Sequence, residues 1–340
     1  MSDINDLLEK GILLIYEEKY DEAIAYYYDI LKLNPNDSEA WRYKGCALRC
    51  KDLYNEAIIC FDKAIELNPN NDSVLYNKGC LLYSNKNYDE AIVCFNEFIK
   101  LNPNNYGAWG CKGLALGCKG LYDEAIVCFD KAIELNPNND SALYNKGHAL
   151  EHKGLHDEAI KCYNKSIELN PNNYDIWKGK GVALDYIGLH DEAITCYDEA
   201  IKLNPNDYGA WLGKGLTFSS KRLYDEAIIC YDEAIKLNPN DSGIWKFKGD
   251  TLYHKGLYNE AIDCYDKSIE LNPNDSDAWH SKGITYNHIG LYNKAKASFK
   301  KAGYCNDENF KSKKRKRTFI WITVLVIVSA LFILLFRLGK

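Results

Sequence analysis

The stretch Leu121-Tyr-Asp-Glu-Ala-Ile-Val-Cys-Phe-Asp-Lys-Ala-Ile-Glu-Leu-Asn-Pro-Asn-Asn139 recurs in close copies down most of the chain at one fixed interval. The eight prolines, Pro35, Pro69, Pro103, Pro137, Pro171, Pro205, Pro239 and Pro273, mark that interval, and it never varies from one proline to the next. Self-similarity at such a period signals an array of one repeated supersecondary unit. Within the stretch, Ala125, Ile126, Phe129, Ala132 and Ile133 are spaced three and four apart and share one face of an α-helix. Asp123, Glu124, Asp130, Lys131 and Glu134 take the opposite face. Pro137 has no amide hydrogen and crowds the residue before it, which predicts that the helix stops there. Asn138-Asn139-Asp140-Ser141 then offers side chains able to cap the next helix.

Upstream, Trp109, Gly113 and Leu116 give a shorter first helix its own apolar stripe, and Lys119-Gly120 turns the chain between the two helices. The unit is a helical hairpin, and neither helix can bury its apolar face alone, so stacking on neighbouring units is obligatory. Nine units start at residues 4, 38, 72, 106, 140, 174, 208, 242 and 276. All nine keep glycine at one first-helix position (Gly11, Gly45, Gly79, Gly113, Gly147, Gly181, Gly215, Gly249, Gly283) and alanine at one second-helix position, from Ala23 to Ala295. A glycine inside a helix costs about 1 kcal/mol relative to alanine, so the glycine column predicts the close approach of a partner backbone. Lys10, Lys44, Lys78, Lys112, Lys146, Lys180, Lys214, Lys248 and Lys282 precede the glycines on the flank of the stripe. Two readings stand: stems that pack while the ammonium reaches water or a carboxylate, or a ladder of charge for an acidic partner.

The period of 34, Trp before Gly in the first helix, Tyr-Asp-Glu-Ala in the second and the closing Asn-Pro resemble the tetratricopeptide repeat over residues 4–309. The resemblance implies an all-α, right-handed superhelical solenoid with a concave groove lined by first helices, and binding of peptides or proteins. The lysine column departs from the family, which more often has an apolar residue there. Members that clamp the C-terminal carboxylate of heat-shock chaperones place Lys and Asn one turn apart in a first helix. Here Arg42 is followed by Cys46, Tyr76 by Cys80, Lys178 by Val182 and Lys246 by Asp250, so chaperone-tail binding is disfavoured.

The repeats leave no room for a catalytic domain, and no nucleophile–base pair, phosphate loop or metal-ligand spacing is present, so no enzymatic activity and no cofactor are expected. The net charge of −6 conceals two zones. Residues 310–340 carry eight Lys or Arg and no acid, leaving 34 of the 42 basic residues against all 48 acidic ones elsewhere, a balance of −14. An acidic array does not favour nucleic acid. Of 13 cysteines, Cys60, Cys94, Cys128, Cys162, Cys196, Cys230 and Cys264 fall in one column and read as small core residues. Free thiols in such number point to a reducing compartment.

The start, Met1-Ser-Asp-Ile-Asn-Asp-Leu-Leu8, has no basic, hydrophobic leader, so no secretory signal or transit peptide is expected. The first unit is atypical, and the ninth (276–309) lacks both the Asp-Glu pair and the proline. Residues 310–317 form a basic segment, and the run from Thr318 to Phe336 then carries no charge. As a helix that run is about 28 Å long, close to the thickness of a bilayer's hydrocarbon core, and predicts a transmembrane helix over 318–336 with a short tail, 337–340. The basic side should stay cytosolic, giving a single-pass, tail-anchored protein whose array faces the cytosol.

Specificity is expected on the first-helix face that varies between units. Arg42, Tyr43, Cys46 and Arg49, then Tyr76, Asn77, Cys80 and Tyr83, then Tyr144, Asn145 and His148 line that expected groove, with rings for apolar anchors and amides for backbone hydrogen bonds. Thiols and imidazoles there could hold zinc or copper, but no ligand motif supports a metal. The expectation is a membrane-anchored adaptor for a protein or peptide, the alternative a scaffold that self-associates through its ends.

Overall fold

The computed structural model describes residues 2–303, with side chains described from Leu8. The end of the ninth unit, the basic segment 310–317, the expected span 318–336 and the tail 337–340 lie outside the described residues. Among the described residues, every regular element is an α-helix and no helix is long and apolar enough to cross a membrane. The chain divides into two compact units, 1–205 and 206–340. In the first, the first helices are α1 (Ser2–Tyr16), α3 (Ser38–Cys50), α5 (Asp72–Ser84), α7 (Tyr106–Cys118), α9 (Asp140–His152) and α11 (Tyr174–Tyr186). The second helices are α2 (Tyr20–Leu33), α4 (Tyr54–Leu67), α6 (Tyr88–Leu101), α8 (Tyr122–Leu135), α10 (His156–Leu169) and α12 (His190–Leu203). The second compact unit continues with α13 (Tyr208–Ser220), α14 (Tyr224–Leu237), α15 (Ser242–Lys255), α16 (Tyr258–Leu271), α17 (Ser276–His288) and α18 (Tyr292–Lys301).

Local chemistry sets each boundary. From α3 onward every first helix begins after an Asp or Asn whose side chain accepts amide hydrogens of the first turn, as Asn139 does from Ala142 N at 3.0 Å. The second helices before each proline stop at leucine with the Asn of Asn-Pro as cap, as the proline demands. Trp41, Trp109, Trp177, Trp245 and Trp279 each donate the indole N–H to the carbonyl of the preceding turn's proline, at 2.9–3.1 Å. The tryptophan thereby ties a first helix to the turn that precedes it. The turn inside each hairpin needs a left-handed residue. Gly120 supplies it at φ +76, whereas Asp52 and Lys86 adopt it without glycine's freedom.

The glycine column behaves differently from expectation. A Cβ on any of the nine glycines would come within 3.0 Å of an aromatic ring on the second helix of its own unit: Tyr27, Phe61, Phe95, Phe129, Tyr163, Tyr197, Tyr231, Tyr265 or Phe299. The space glycine leaves is filled by a side chain of the second helix, not by a backbone. All but the last of these rings are at most 2% exposed, and the nine column alanines are 0% exposed. Six of the seven column cysteines are buried, and Cys162 is half-buried.

Neighbouring hairpins are joined by ion pairs that recur at the same place in the unit. Lys51 meets Asp21 at 2.5 Å, and Lys119–Asp89, Lys153–Asp123 and Lys255–Asp225 repeat that pairing between later hairpins. The lysine column pairs back to the preceding second helix, Lys78 with Asp62, Lys146 with Asp130 and Lys248 with Asp232 at 2.5 Å, and Lys282 with Asp266. Lys112 and Lys180 instead lie over Trp109 and Trp177. These lysines pack their stems and satisfy their charges within the fold, which is the first of the two readings. Within each compact unit, first helices touch the next first helix, while among the described residues second helices do not touch one another. The first helices therefore form the crowded, inner side of the stack.

Glycine-to-alanine exchange should have opposite signs at two sites. Gly147→Ala pushes a methyl against the Tyr163 ring 2.8 Å away and should lower stability by about 1–3 kcal/mol. Gly110→Ala enters open space and should raise it by about 1 kcal/mol. Urea unfolding of the two variants measures both, and a stabilising Gly147→Ala would show that the ring can yield at no cost.

Candidate functional site

The inner face of α3, α5, α7 and α9 brings the expected residues onto one surface of the first compact unit, but it commits several of them to the fold. Arg42 donates two hydrogen bonds to Glu39 Oε2, at 2.9 and 2.6 Å, and its guanidinium lies 3.8 Å from the centre of the Tyr43 ring. Tyr43 is stacked on Tyr27 with ring centres 5.7 Å apart. Tyr76 packs against Phe95 and Phe98, at 6.1 and 5.3 Å, and Tyr144 against Tyr163 at 6.0 Å. Tyr76 and Tyr144 thus belong to the packing as well as to the surface. Each sits where a first helix covers the second-helix ring of its own unit, so it roofs the core with one edge exposed. Asn145 is also occupied, donating from Nδ2 to Ser141 O of its own helix at 2.8 Å.

Asn77, Arg49, Tyr83 and Cys46 are half-buried and His148 is exposed. Burial raises the Cys46 thiol above its ordinary range. Tyr83 Oη lies 3.8 Å from Cys118 Sγ on α7. His148 meets His152 edge to face at 4.6 Å, and His152 stacks on Tyr122 at 4.8 Å.

Two features escaped the sequence reading. First, α7 has two open positions: a Cβ on Gly110 or Gly117 would meet nothing within 4 Å, although both are helical. Neither glycine makes room for a ring, unlike Gly113 between them. Comparing how the columns vary from unit to unit could have shown this, since these positions hold side chains in the flanking units. Second, in two units the hydroxyl of a core tyrosine reaches an acid on the first helix, whereas Tyr27 donates to the carbonyl of Leu8 at 3.3 Å. Tyr163 donates to Glu151 Oε2 at 3.0 Å, and Tyr265 to Asp250 Oδ1 at 2.8 Å. Burial lifts the Glu151 carboxyl above its ordinary 4.5 despite the stabilising hydroxyl, and lifts the Tyr163 phenol well above its own range. The change from Phe129 to Tyr163 in one column alongside Glu151 in another was the available signal.

Among the described residues no three His, Cys, Asp or Glu side chains are grouped to hold a metal ion. The surface combines rings, thiols, imidazoles and a guanidinium over a partly bare helix, an arrangement suited to binding.

Tetratricopeptide repeat profiles match this chain at residues 7–37, 38–71, 73–105, 106–139, 141–173, 174–207, 208–241, 243–275 and 264–297. The chain belongs to the tetratricopeptide repeat family. Among solved structures it is similar to a tetratricopeptide repeat protein from Parabacteroides merdae ATCC 43184, with 18% identity and a TM-score of 0.58, covering 74% of this chain and 100% of that one. It is also similar to a chain of the APC/C hetero-tetramer Cut9-Hcn1, with 20% identity and a TM-score of 0.57, covering 89% of this chain and 59% of that one. A third similarity is to YrrB, described as a TPR protein with an unusual peptide-binding site, with 23% identity and a TM-score of 0.47, covering 55% and 97% of the two chains. For the first two, at these identities, the likeness is one of fold. A comparison with curated protein sequences finds no match.

The raised Glu151 carboxyl has a direct consequence for stability. A raised folded-state value means the folded chain resists ionising this group, so its contribution is full below 4.5 and is lost as pH rises through the folded value. Glu151→Gln keeps an acceptor for Tyr163 Oη without the charge, so it should be more stable than the parent at pH 7 and equal to it near pH 4. Chemical denaturation at the two pH values checks this, and a less stable variant at pH 7 contradicts it.

Proposed function

We propose that this protein is an adaptor that captures a protein or peptide on the inner face of α3 to α9 and is held at a membrane by residues 318–336, with its repeats on the cytosolic side. Repeats of this family act in protein or peptide binding, and they are typically non-enzymatic scaffolds. The observation that carries the reading is the pair of open glycine positions on α7, Gly110 and Gly117, between the ring-bearing α5 and α9. Glycines that cost helix stability at Gly110 and Gly117 relieve no crowding inside the fold, so their use is to let an outside chain approach the helix backbone. Tyr83 and His148 on the flanking helices, with Arg49 on α3, then supply an apolar ring, an imidazole and a charge for that chain.

Membrane attachment is supported by the sequence: a basic cluster from Lys311 to Arg317 abuts the uncharged run from Thr318 to Phe336. That order is the one the positive-inside rule assigns to a cytosolic flank. The many reduced thiols of the repeats agree with the same side.

A peptide selected from a display library against the immobilised full chain should bind less tightly by about tenfold or more when Arg49, Tyr83 and His148 are all changed to Ala. The exposed outer position Val127→Ser on α8 serves as control and should change nothing. Binding that survives the triple change puts the ligand elsewhere. For attachment, the chain expressed in cells should stay with membranes through alkaline extraction, and external protease on the cytosolic side should digest the repeats. Release by alkali, or protection until detergent is added, overturns the anchor or its orientation respectively.

A further inference from the structure

Two thiols on the inner face differ from the rest. Cys80 on α5 and Cys111 on α7 stand on neighbouring first helices that touch each other, and both thiols pack on the same small cluster. Tyr76 Oη lies 3.6 Å from the Cys111 sulfur. Both cysteines are free and half-buried, packed on the cluster of Leu82, Ala91, Cys94 and Phe95. The column cysteines lack this setting. Cys60 is buried among apolar groups and pushed up to about 11 by that burial, which keeps it a thiol. Cys111 moves the opposite way, because the neighbouring Cys80 thiol and the Tyr76 hydroxyl favour its thiolate over the opposing effect of burial. No third ligand is grouped with the pair among the described residues, so a metal site is not indicated.

We propose that Cys80 and Cys111 are a redox-active dithiol, oxidised by a hydroperoxide to a disulfide that staples α5 to α7. The Cys111 thiolate attacks one peroxide oxygen, the S–O bond forms as the O–O bond breaks, and the departing oxygen takes a proton to leave as water. Cys111 is then a sulfenic acid. The Cys80 sulfur attacks it, the S–S bond forms as the S–O bond breaks, and the hydroxyl leaves as a second water with the Cys80 proton. Two electrons pass from the two sulfurs to one hydrogen peroxide, and a dithiol reductant reverses the result. The two thiols pack on one cluster between helices already in contact, so closing to a disulfide length of about 2.05 Å requires side-chain rotation and a small approach of those helices. Tyr76 Oη loses its thiolate partner in the process. That hydroxyl stands 3.6 Å from the position a Cβ would take on Gly107, so oxidation reshapes the edge of the α7 face. The chemistry does not depend on what that face binds.

The test uses the reduced full-length protein without any ligand, treated with a few equivalents of hydrogen peroxide and sampled over time. Non-reducing digestion and mass spectrometry should show a Cys80–Cys111 linked peptide, lighter by two hydrogens and restored by dithiothreitol, before any change at Cys60, Cys94 or Cys128. Cys80→Ser should leave Cys111 as a sulfenic acid trapped by dimedone, and Cys111→Ser should remove both the link and the trapping. The wild-type time course decides the matter even if a variant folds poorly. Oxidation of all thiols at similar rates, or a first link between other cysteines or between chains, overturns the proposal.

Discussion

The contact between a first-helix glycine and the second-helix ring of the same hairpin is the constraint on which the rest of this structure depends. It sets the separation of the two helices in every hairpin, because the ring occupies the place a first-helix side chain would need. With the ring and the column alanine fully buried, each hairpin has a small core of its own, and its remaining apolar stripe must be covered by the next hairpin. The cost of a helical glycine, about 1 kcal/mol, is offset by burying an aromatic ring, which contributes more.

Stacking is then given a register by polar groups at the hairpin edges. The two recurring sets of lysine–aspartate pairs join successive hairpins, and the tryptophan-to-proline carbonyl bond fixes the turn between them. Individually such exposed ion pairs contribute about 0–1 kcal/mol, so their effect lies in choosing one register from several that the apolar stripes would allow. The same pairs consume the charge of Lys78, Lys146, Lys248 and Lys282, which leaves the lysine column little to offer a partner.

The inner face shows how a fixed framework acquires individuality. Where the buried ring is Tyr163 or Tyr265, its hydroxyl donates to a half-buried acid that another column supplies on the first helix, Glu151 or Asp250. Glycines at two positions of α7 expose helix backbone between rings, and thiols on α5 and α7 share one packed cluster. These features occur in separate units and coexist because each hairpin packs mainly on its neighbours.

The all-α hairpin array, its period, the cap residues, the helix ends at Asn-Pro and the burial of the cysteine column were legible in the sequence, because they follow from spacing within one unit and repeat in the others. Local rules act over short stretches, so nine copies of the same pattern state them repeatedly. Tertiary structure alone decided what crosses between helices: that a ring and not a backbone fills the glycine column, that Tyr76, Tyr144 and Arg42 are committed to packing and pairing, and that Cys80 and Cys111 share one packed cluster. Those outcomes depend on the distance and rotation of one helix relative to another, and a column of letters carries the face of a residue without carrying the neighbour that reaches it.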